Sequence, residues 1–480
     1  MTAMLHLEAP IAKATMPLAH EHPGLTGVIA LRSGRDAFAA RAQLIDAACN
    51  TLDCQYYLWR NDVSGTLLFE ALLRAADRGV RVRLLLDDHN TSGLDDLLAA
   101  LNGHSNIEVR LFNAHRIRGW RLLGFIADFA RLNRRMHNKS ITIDGQVTVV
   151  GGRNIGDEYF DAHHDVTFVD LDVLAIGAVV SSVSRDFDRY WSSASSAPVM
   201  RFIPAISADT LTKLRNSAAT ILRSPAAQAY VLSIANSPFK RDLFAGTLPL
   251  EWVPAHLVSD PPSKGLGTAG RRKLLAHRLQ RMLGRPEQEI QLVTAYFVPT
   301  RRGFHFLLSL ARRGVRVTVL TNSLEATDVA AVHAGYAKFR KPLLAAGVVL
   351  REMKRGAAPA KRVDRQLGAS SGASLHAKVF CVDRKRVFVG SFNFDARSVR
   401  LNTEMGLVID SPALAQSVAE TVVNGRFPLE AYTVRVRDGA IEWVDGEGAE
   451  QVVHTREPNA GFWRRATVFV LSRLPIDWLL

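Results

Sequence analysis

Two stretches of the chain, 239 residues apart, carry the same pattern of residues. Positions 137–165 read HNKSITIDGQVTVVGGRNIGDEYFDAHHD, and positions 376–404 read HAKVFCVDRKRVFVGSFNFDARSVRLNTE. The two align without a gap, and their landmarks coincide: His137 with His376, Lys139 with Lys378, Asp144 with Asp383, Gly151 with Gly390, Asn154 with Asn393, and Asp165 with Glu404. Recurrence of a whole set of landmarks at one spacing indicates two copies of one domain.

Each copy has a pattern of strands that alternate with helices. In the first copy, the apolar run 51–59 predicts a strand, the leucine spacing of 65–78 predicts a helix, and 80–86 predicts a second strand. The second copy repeats this order at 290–298, 303–313 and 315–321. Because strands separated by helices pair in parallel and are covered on both faces, we predict an α/β fold with two tandem α/β/α sandwich domains.

The remaining segments complete a predicted domain organisation. We expect an N-terminal extension (1–30), a first domain (31–197), a helical connector (198–250), a second domain (251–428) and a C-terminal tail (429–480). In the tail, Asp438-Gly439 lies between two strand-like runs and predicts a small β-hairpin, followed by a helical end. The stretch 259–272 is rich in proline, glycine and basic residues, and it predicts a mobile loop.

Composition limits the class of protein. The 480 residues are 48% hydrophobic and 22% charged, which is ordinary globular usage. The net charge of +14 favours partners that carry phosphate, either nucleic acid or an anionic membrane. Three cysteines are too few for a disulfide framework and predict reduced thiols. Because no run reaches about 18 apolar residues, and charges interrupt the first 19 positions, we expect neither a spanning helix nor a signal peptide.

The His-x-Lys pairs are the first candidates for chemistry. On a strand, residues two apart point to the same face, so His137 projects with Lys139, and His376 with Lys378. A histidine can act as nucleophile or proton carrier, and a neighbouring lysine supplies a cation for a phosphate oxygen. The glycines that follow would let the backbone approach an oxyanion, and Asn154 and Asn393 would add amide donors.

Carboxylates complete the repeated set. Asp165 and Glu404 each lie 28 residues after the histidine of their own copy, where a carboxylate could hold the imidazole N–H. Asp144 and Asp383 stay open between direct chemistry and a structural turn, because Asp144 precedes a glycine between two short strands.

Metal ligation is the competing interpretation. The local candidates are His20-Glu21-His22 and His163-His164-Asp165, and neither recurs in the other copy. We therefore predict no metal and no cofactor.

Two segments suggest contact with lipid. Arg116, Arg118 and Arg121 surround Trp120 and precede the apolar stretch 122–129, and the tail 462–480 mixes aromatic, arginine and leucine residues in the same way. The alternative for both segments is packing against the protein's own core.

The pattern His-x-Lys-x-x-x-x-Asp followed by Gly-Gly/Ser-x-Asn, present twice, resembles the signature of the phospholipase D superfamily. Further stretches are similar to the bacterial cardiolipin synthases, in particular those of the C type: 131–139, 151–157, 296–300, 390–395 and the ending 478–480. The resemblance covers about residues 36–480.

The resemblance implies two phospholipase D-like domains related by pseudo-twofold symmetry, with both histidines at one interface site. It implies a metal-free two-step exchange in which His137 is the nucleophile and His376 the acid/base. The catalytic set would be His137, Lys139, Asp144, His376, Lys378 and Asp383. Lys139, Asn154, Lys378 and Asn393 would bind phosphoryl oxygens, and Asp165 and Glu404 would orient the histidines.

The implied function is the transfer of a phosphatidyl group between phospholipids to form cardiolipin. The implied partners are phosphatidylglycerol, with phosphatidylethanolamine as another possible donor, and an anionic membrane surface. We expect a peripheral protein on the cytoplasmic face of a bacterial cell membrane. The alternative is a phospholipase D or a nucleic-acid phosphodiesterase that uses water as acceptor, although the apolar residues before the first motif favour lipid over nucleic acid.

Overall fold

The computed structural model divides the chain into two compact units. It describes residues 9–161, 167–204, 209–356, 373–423, 430–446, 448 and 451–474. The first unit comprises Met1–Ala162, Leu171–His277 and Leu401–Leu407, and the second comprises His163–Asp170, Arg278–Arg400 and Val408–Leu480. Each unit therefore includes a short segment whose sequence neighbours belong mostly to the other unit. The predicted domain boundaries stay predictions.

The strands of the described residues, in chain order, are β1 (Thr26–Leu31), β2 (Thr51–Tyr56), β3 (Arg81–Asp87), β4 (Ile107–Phe112), β5 (Ser140–Ile143), β6 (Val147–Gly151), β7 (Thr167–Val169), β8 (Asp172–Gly177), β9 (Ser196–Pro198), β10 (Glu251–Val253), β11 (Ala255–Ser259), β12 (Glu289–Thr294), β13 (Arg316–Asn322), β14 (Val349–Met353), β15 (Ala373–Leu375), β16 (Lys378–Val382), β17 (Arg386–Gly390), β18 (Met405–Ile409), β19 (Ala431–Arg437), β20 (Ala440–Asp445) and β21 (Val452–His454).

The α-helices of the described residues are α1 (Pro10–Glu21), α2 (Gly34–Ala47), α3 (Val63–Asp77), α4 (Asp95–Asn102), α5 (Arg121–Ala127), α6 (Phe129–Leu132), α7 (Val180–Trp191), α8 (Asp209–Leu222), α9 (Pro225–Asn236), α10 (Phe239–Ala245), α11 (Leu275–Leu283), α12 (Arg301–Arg312), α13 (Ala330–Ala337), α14 (Arg340–Ala345), α15 (Ala396–Arg400), α16 (Pro412–Val423) and α17 (Phe462–Leu471). Within the part of the chain described, no helix is both long and apolar enough to cross a membrane.

The sheet of the first unit is mixed. Its nine strands lie in the order β10-β1-β8-β6-β5-β2-β3-β4-β9. β2, β3 and β4 pair in parallel, as the strand–helix alternation predicts, whereas β5 pairs antiparallel with both β2 and β6. The parallel pairing predicted for strands separated by helices is confirmed. The His-x-Lys part was predicted as two short strands joined by a turn. There the short Asp144-Gly145 turn makes a hairpin, which only antiparallel strands allow.

The second unit repeats this arrangement. Its strand order is β18-β17-β16-β12-β13-β14-β19-β20-β21, with β12, β13 and β14 parallel and β16 antiparallel to β12 and β17. β18 is where the chain passes from the first unit to the second. The predicted tail hairpin is confirmed as β19–β20, whose turn residues Asp438 and Gly439 both have positive φ. The prediction of two α/β domains is confirmed.

The predicted strands and helices are present with small shifts in their ends. The run 51–59 forms β2 only as far as Tyr56, and Trp59 then makes an isolated bridge to Ile155. The helix predicted over 65–78 is α3, which begins after Asp62 because that carboxylate accepts a hydrogen bond from the Gly65 N–H.

The stretch 259–272 is not the loose loop that its composition suggests. Lys264 is buried, and its Nζ lies 2.8 Å from the buried Asp260 carboxylate. The segment also contains a short 3-10 helix at Pro262–Leu266. Composition does not report these contacts, which involve residues 260–266, and the mobility of the remaining residues stays a prediction.

Candidate active site

His137 lies three residues before the start of β5 and contacts a carboxylate from far along the chain. Its Nδ1 is 2.8 Å from Oε2 of Glu404, and both side chains are buried. The backbone explains this contact: the His137 N–H donates to Thr403 O at 2.9 Å, and the Thr403 N–H donates to Arg135 O at 2.8 Å. Residue 403 therefore runs beside the chain that enters β5, and Glu404 follows it. All of these residues belong to the first unit.

His376 has the same arrangement within the second unit. Its Nδ1 is 2.6 Å from Oδ2 of Asp170, and both side chains are buried. Here β7 pairs in parallel with β15, so that Val169 lies opposite Leu375 and Asp170 lies beside His376. The N–H groups of His376 and Ala377 both donate to Val169 O.

The predicted pairing of acids with histidines needs a correction. Glu404 contacts the histidine of the other copy, and the acid at His376 is Asp170, which the sequence analysis missed. Asp165 lies outside the described residues. A signal for Asp170 was present, because Asp170-Leu171-Asp172-Val173-Leu174 matches Glu404-Met405-Gly406-Leu407-Val408 at an offset of 234. The gapless alignment at 239 hid a five-residue insertion before this match.

A carboxylate at Nδ1 determines what each imidazole can do. The carboxylate accepts the Nδ1 proton, so the neutral ring carries its lone pair on Nε2. The same carboxylate stabilises the imidazolium form when Nε2 takes up a proton. Each unit therefore holds a histidine suited to nucleophilic attack or to proton transfer through Nε2.

The two lysines lie beside their histidines. Lys139 is buried, donates from Nζ to His137 O at 2.7 Å, and lies 5.4 Å from the ring centroid of Tyr57. Nζ of Lys378 is 2.9 Å from Nδ1 of His376 and also donates to His376 O. These contacts place each lysine beside its histidine. The pairs do not lie wholly on a strand, because β5 begins at Ser140 and β16 at Lys378.

Aromatic rings flank both histidines, and neither ring was predicted from the sequence. The Tyr57 ring meets His137 edge-on at 5.0 Å, and the Phe168 ring lies 5.1 Å from His376. Tyr57 follows the end of β2 and Phe168 lies in β7, so the two rings come from non-equivalent positions. No repeated pattern marks them.

The two asparagines follow β6 and β17 at equivalent positions but have different contacts. Oδ1 of Asn393 accepts from the Thr294 hydroxyl at 3.1 Å, which directs its NH2 group away from that hydroxyl. Nδ2 of Asn154 donates to the Tyr159 hydroxyl at 2.9 Å, and its buried Oδ1 has no hydrogen-bond partner among the described residues.

Asp144 and Asp383 hold turns. Asp144 has positive φ, and its carboxylate accepts hydrogen bonds at 2.7–3.0 Å from the N–H groups of Cys49, Asn50 and Thr51. Asp383, also with positive φ, accepts from the N–H groups of residues 287–289. Burial would raise the pKa of Asp383, but these backbone donors outweigh it and lower the pKa. The contacts fit the turn role, and a direct catalytic role stays a prediction.

Gly151 makes room for an internal anion. A Cβ at this position would lie 2.0 Å from Oδ1 of Asp172, a buried carboxylate that pairs with Arg41 at 2.8 Å and with Arg153 at 3.4 Å. The expected close approach of backbone to an oxyanion occurs here, but the oxyanion is the protein's own Asp172. The glycine is therefore explained by packing in the first unit.

Glu404 is in turn fixed by Asp260. The Glu404 N–H donates to Asp260 Oδ2 at 3.1 Å, and the Asp260 N–H donates to Glu404 O at 2.9 Å. Burial raises the pKa of Asp260 to about 6, although Lys264 and the Leu275 N–H act in the opposite direction. Because these contacts use the main chain of Glu404, they leave its carboxylate for His137.

One group of side chains among the described residues has the spacing of metal ligands: His333, Glu352 and Glu457. The guanidinium of Arg340 contacts all three, with Nη2 at 2.5 Å from His333 Nε2, Nε at 2.8 Å from Glu352 and Nη1 at 2.5 Å from Glu457. Burial would raise the pKa of Glu457, but Arg340 and His333 outweigh it and lower the pKa to about 2. This cluster holds a cation of its own.

Of the two histidine clusters considered as metal ligands, the first lies among the described residues. His22 stacks on Trp252 at 4.3 Å, and its Nδ1 lies 2.9 Å from Leu18 O. His163 and His164 lie outside the described residues.

Both segments expected at lipid expose apolar side chains. In the first unit these are Ile117, Trp120, Leu122, Leu123, Ile126 and Phe129, and in the second unit they are Phe462, Trp463, Phe469, Val470 and Leu474. The alternative of a core helix is therefore wrong for α5, in which Gly124 is the buried residue. Helix α17 does pack through Val468 and Leu471 on a small core with Leu324 and Ala334. Residues 475–480 lie outside the described residues.

The chain is similar to known proteins along most of its length. A family model described as cardiolipin synthase, phospholipase D-like domain, matches residues 42–191 and 279–423. Cardiolipin synthase C of Escherichia coli K12 is 49% identical over 98% of this chain and 99% of its own length. The major cardiolipin synthase ClsA of Bacillus subtilis 168 is 24% identical over 84% of this chain and 71% of its own.

Among solved structures, the phosphatidylserine synthase of Haemophilus influenzae Rd KW20 matches with a TM-score of 0.58. The match covers 87% of this chain and 91% of that chain at 14% identity. At this identity, the likeness shows a shared fold.

Proposed function

The chain belongs to the family of cardiolipin synthases with phospholipase D-like domains, and we propose that it makes cardiolipin through a phosphohistidine on His137. The observation that carries the proposal is the pair of buried His–carboxylate contacts, one in each unit, each with a lysine two residues further on. Transfer of a phosphatidyl group needs a nucleophile and an acid/base, and these contacts supply two histidines with defined tautomers.

The exchange proceeds in two balanced steps. Nε2 of His137 attacks phosphorus of the donor phospholipid, the bond from phosphorus to the headgroup oxygen breaks, and His376 gives its proton to the departing alcohol. His376 then removes the proton from the glycerol hydroxyl of a phosphatidylglycerol. That oxygen attacks the phosphohistidine, releases His137 and forms cardiolipin. Phosphatidylglycerol and phosphatidylethanolamine both fit the donor role.

Lysines and asparagines take the place that a metal would otherwise fill. We propose that the phosphoryl oxygens are bound by Lys139, Lys378, Asn154 and Asn393. Preorganised donors of this kind stabilise the charge that develops in the transition state. The NH2 group of Asn393 points away from the Thr294 hydroxyl. A half-turn of the Asn154 amide would let the Tyr159 hydroxyl donate to Oδ1 and would put an NH2 donor where the unsatisfied oxygen lies.

The place of action follows from the substrates. We infer a peripheral protein at the cytoplasmic face of a bacterial cell membrane, supported by the net charge of +14 and by the exposed apolar side chains of both units. Phospholipid substrates reside in such a surface, and a basic protein is attracted to anionic lipid.

Product analysis tests the function. Purified protein is incubated with labelled phosphatidylglycerol, with and without phosphatidylethanolamine, and the lipids are separated by chromatography. We expect labelled cardiolipin. If phosphatidic acid is the only product, the protein is a phospholipase D and not a synthase. If it cleaves a DNA phosphodiester and turns over no lipid, both lipid functions are wrong.

Trapping of the intermediate tests the roles of the histidines. His137→Ala lacks the nucleophile and should form no covalent adduct. His376→Ala loses general acid–base assistance, typically worth about 10²–10⁴-fold, and should accumulate lipid phosphate slowly on His137. Because a phosphoramidate is acid-labile, the quench must be mild and non-acidic. Label in His137→Ala together with none in His376→Ala would reverse the assignment.

A further inference from the structure

We propose that residues 117–129 form the surface through which the protein docks on a phospholipid bilayer, and that ion pairs beneath this surface fix it to the chain that carries His137. We call residues 117–129 the docking segment. The choice of lipid as the occupant rests on the proposed function.

Six large apolar side chains of the docking segment are exposed, whereas a segment that packs only against the core would bury them. Its exposed side chains are Leu122 (73%), Trp120 (72%), Ile126 (67%), Leu123 (55%), Ile117 (47%) and Phe129 (38%). Single apolar residues on a surface are ordinary, whereas a contiguous set marks an interaction site. The segment is also folded tightly on itself, because a Cβ at Gly124 would lie 3.3 Å from Cβ of Ile117.

The arginines of the docking segment are paired beneath it. Nη1 of Arg118 lies 2.8 Å from the buried Asp88 carboxylate, and its Nη2 lies 2.5 Å from Asp95. Nη2 of Arg121 lies 3.1 Å from Asp95. The basic cluster expected from the sequence to face lipid is therefore largely neutralised. Because these guanidinium groups already have carboxylate partners, immersing the apolar side chains does not strand an unpaired charge.

The same acidic stretch holds the chain that leads to His137. Asp87 is adjacent to Asp88, is fully buried, and accepts a hydrogen bond from the Met136 N–H at 2.7 Å. Asp88 accepts from the His115 N–H at 2.6 Å, at the start of the chain that leads into the docking segment. Two consecutive carboxylates thus anchor the docking segment and the residue before His137, which gives the histidine a fixed position relative to the docked face.

Charge and shape favour lipid over a second copy of the chain. Two copies that each carry +14 repel one another, whereas an anionic bilayer attracts this protein. Helix α5 of the docking segment has seven residues, which is too short for the extended apolar stripe of a helix pair. Trp120 is the residue type that membrane interfaces prefer.

Vesicle binding tests the docking surface without any turnover. The probe is sedimentation with vesicles of phosphatidylglycerol and phosphatidylethanolamine in equal parts. Leu122→Glu/Leu123→Glu should lower the partition constant at least about tenfold, since burial of even one leucine side chain is worth about that factor. The matched control is Leu222→Glu, which changes an exposed leucine of α8 and should leave the partition constant unchanged.

The outcomes separate the alternatives. Trp120→Glu, with circular dichroism as a folding check, repeats the test if the double variant does not fold. Unchanged partition in the folded variants would overturn the proposal. So would a change from oligomer to monomer with partition unaffected, because it would assign this surface to a second copy. If the protein binds vesicles normally but forms no cardiolipin, the proposed function is wrong and the proposal of the docking surface still holds.

The anchoring ion pairs have their own test. Asp95→Asn removes one carboxylate from Arg118 and Arg121, and we expect hydrogen exchange of the amides at 116–132 to become at least about threefold faster. Asp96→Asn is the matched control, because both acids lie in the first turn of α4 and Asp96 is exposed. Equal exchange in the two variants would show that these ion pairs do not hold the docking segment.

Discussion

Removal of the charge at Glu404 and at Asp170 tests the assignment of one carboxylate to each histidine. Glu404→Gln and Asp170→Asn keep the size of each side chain. Because the carboxylates contact Nδ1 at 2.8 and 2.6 Å in buried surroundings, loss of the charge removes about 1.5–3 kcal/mol, the usual worth of a hydrogen bond to a charged group. That is about a 10–150-fold loss in kcat.

The loss is larger if the new amide turns its NH2 group toward Nδ1. The imidazole must then accept at Nδ1 and carry its proton on Nε2, which is the wrong tautomer for attack on phosphorus. In a serine-protease triad, the corresponding exchange of acid for amide lowers kcat by about 10⁴-fold. We therefore expect losses between about 10 and 10⁴-fold for both variants.

The assay is conversion of labelled phosphatidylglycerol to cardiolipin, with covalent label measured in parallel under a mild quench. With His137 as the nucleophile, Glu404→Gln should slow the appearance of covalent label. Asp170→Asn should slow turnover more than it slows labelling. Asp165→Asn is the control. A loss in Asp165→Asn equal to that in Asp170→Asn, or activity within twofold of wild type in both carboxylate variants, would refute the reasoning.

Four further predictions use the same protein. Activity should survive EDTA, because the proposed lysine and asparagine donors stabilise the phosphoryl charge, and loss that one divalent ion restores would contradict this. Asp144→Ala should lower the free energy of unfolding by about 1–3 kcal/mol, as measured by urea titration. Turnover of the folded variant separates its two roles: kcat within about threefold of the unmodified protein fits a turn residue, and a larger loss fits a catalytic one. For Asp383, the lowered pKa means that its contribution to stability is present above the unfolded pKa and lost as pH falls through the folded one, so Asp383→Asn should flatten the acid limb of a thermal-unfolding profile. Trp463→Glu/Phe469→Glu should weaken binding to anionic vesicles, and binding by the unmodified protein should fall with salt; indifference to both changes would make α17 ordinary domain surface.

The parts of the fold that the sequence predicted are those coded by neighbouring residues. Leucine spacing and a capping Asp62 fix α3, and a β-rich run fixes β3, so both were predicted within a few residues. The His-x-Lys pairs were predicted for the same reason, since the two residues of each pair are two positions apart. The end of β2 was not, because Tyr57 and Trp59 are strand-forming residues that leave the sheet to contact His137 and Ile155.

Contacts between distant residues were harder to predict. The acid partners lie 267 and 206 residues from their histidines. The gapless alignment of the two copies placed an acid 28 residues after each histidine, and each histidine was therefore paired with an acid of its own copy. The docking segment shows a similar limit. Its composition indicated lipid contact, but the pairing of Arg118 with Asp88 depends on a chain separation of 30 residues that periodicity does not report.

Exchange of acids between the copies has a consequence for the duplication itself. Glu404 follows the second His-x-Lys motif in the chain but belongs to the first unit, and Asp170 follows the first motif but belongs to the second unit. Neither copy therefore contains a complete His–carboxylate pair within its own sequence. A single copy would lack the carboxylate that contacts Nδ1, and without it an imidazole is a weaker nucleophile and a weaker base at Nε2. Because each copy supplies the carboxylate on which the other's histidine depends, a substitution at Glu404 acts on His137 and one at Asp170 acts on His376, so the chemistry of each histidine requires both copies of the repeat.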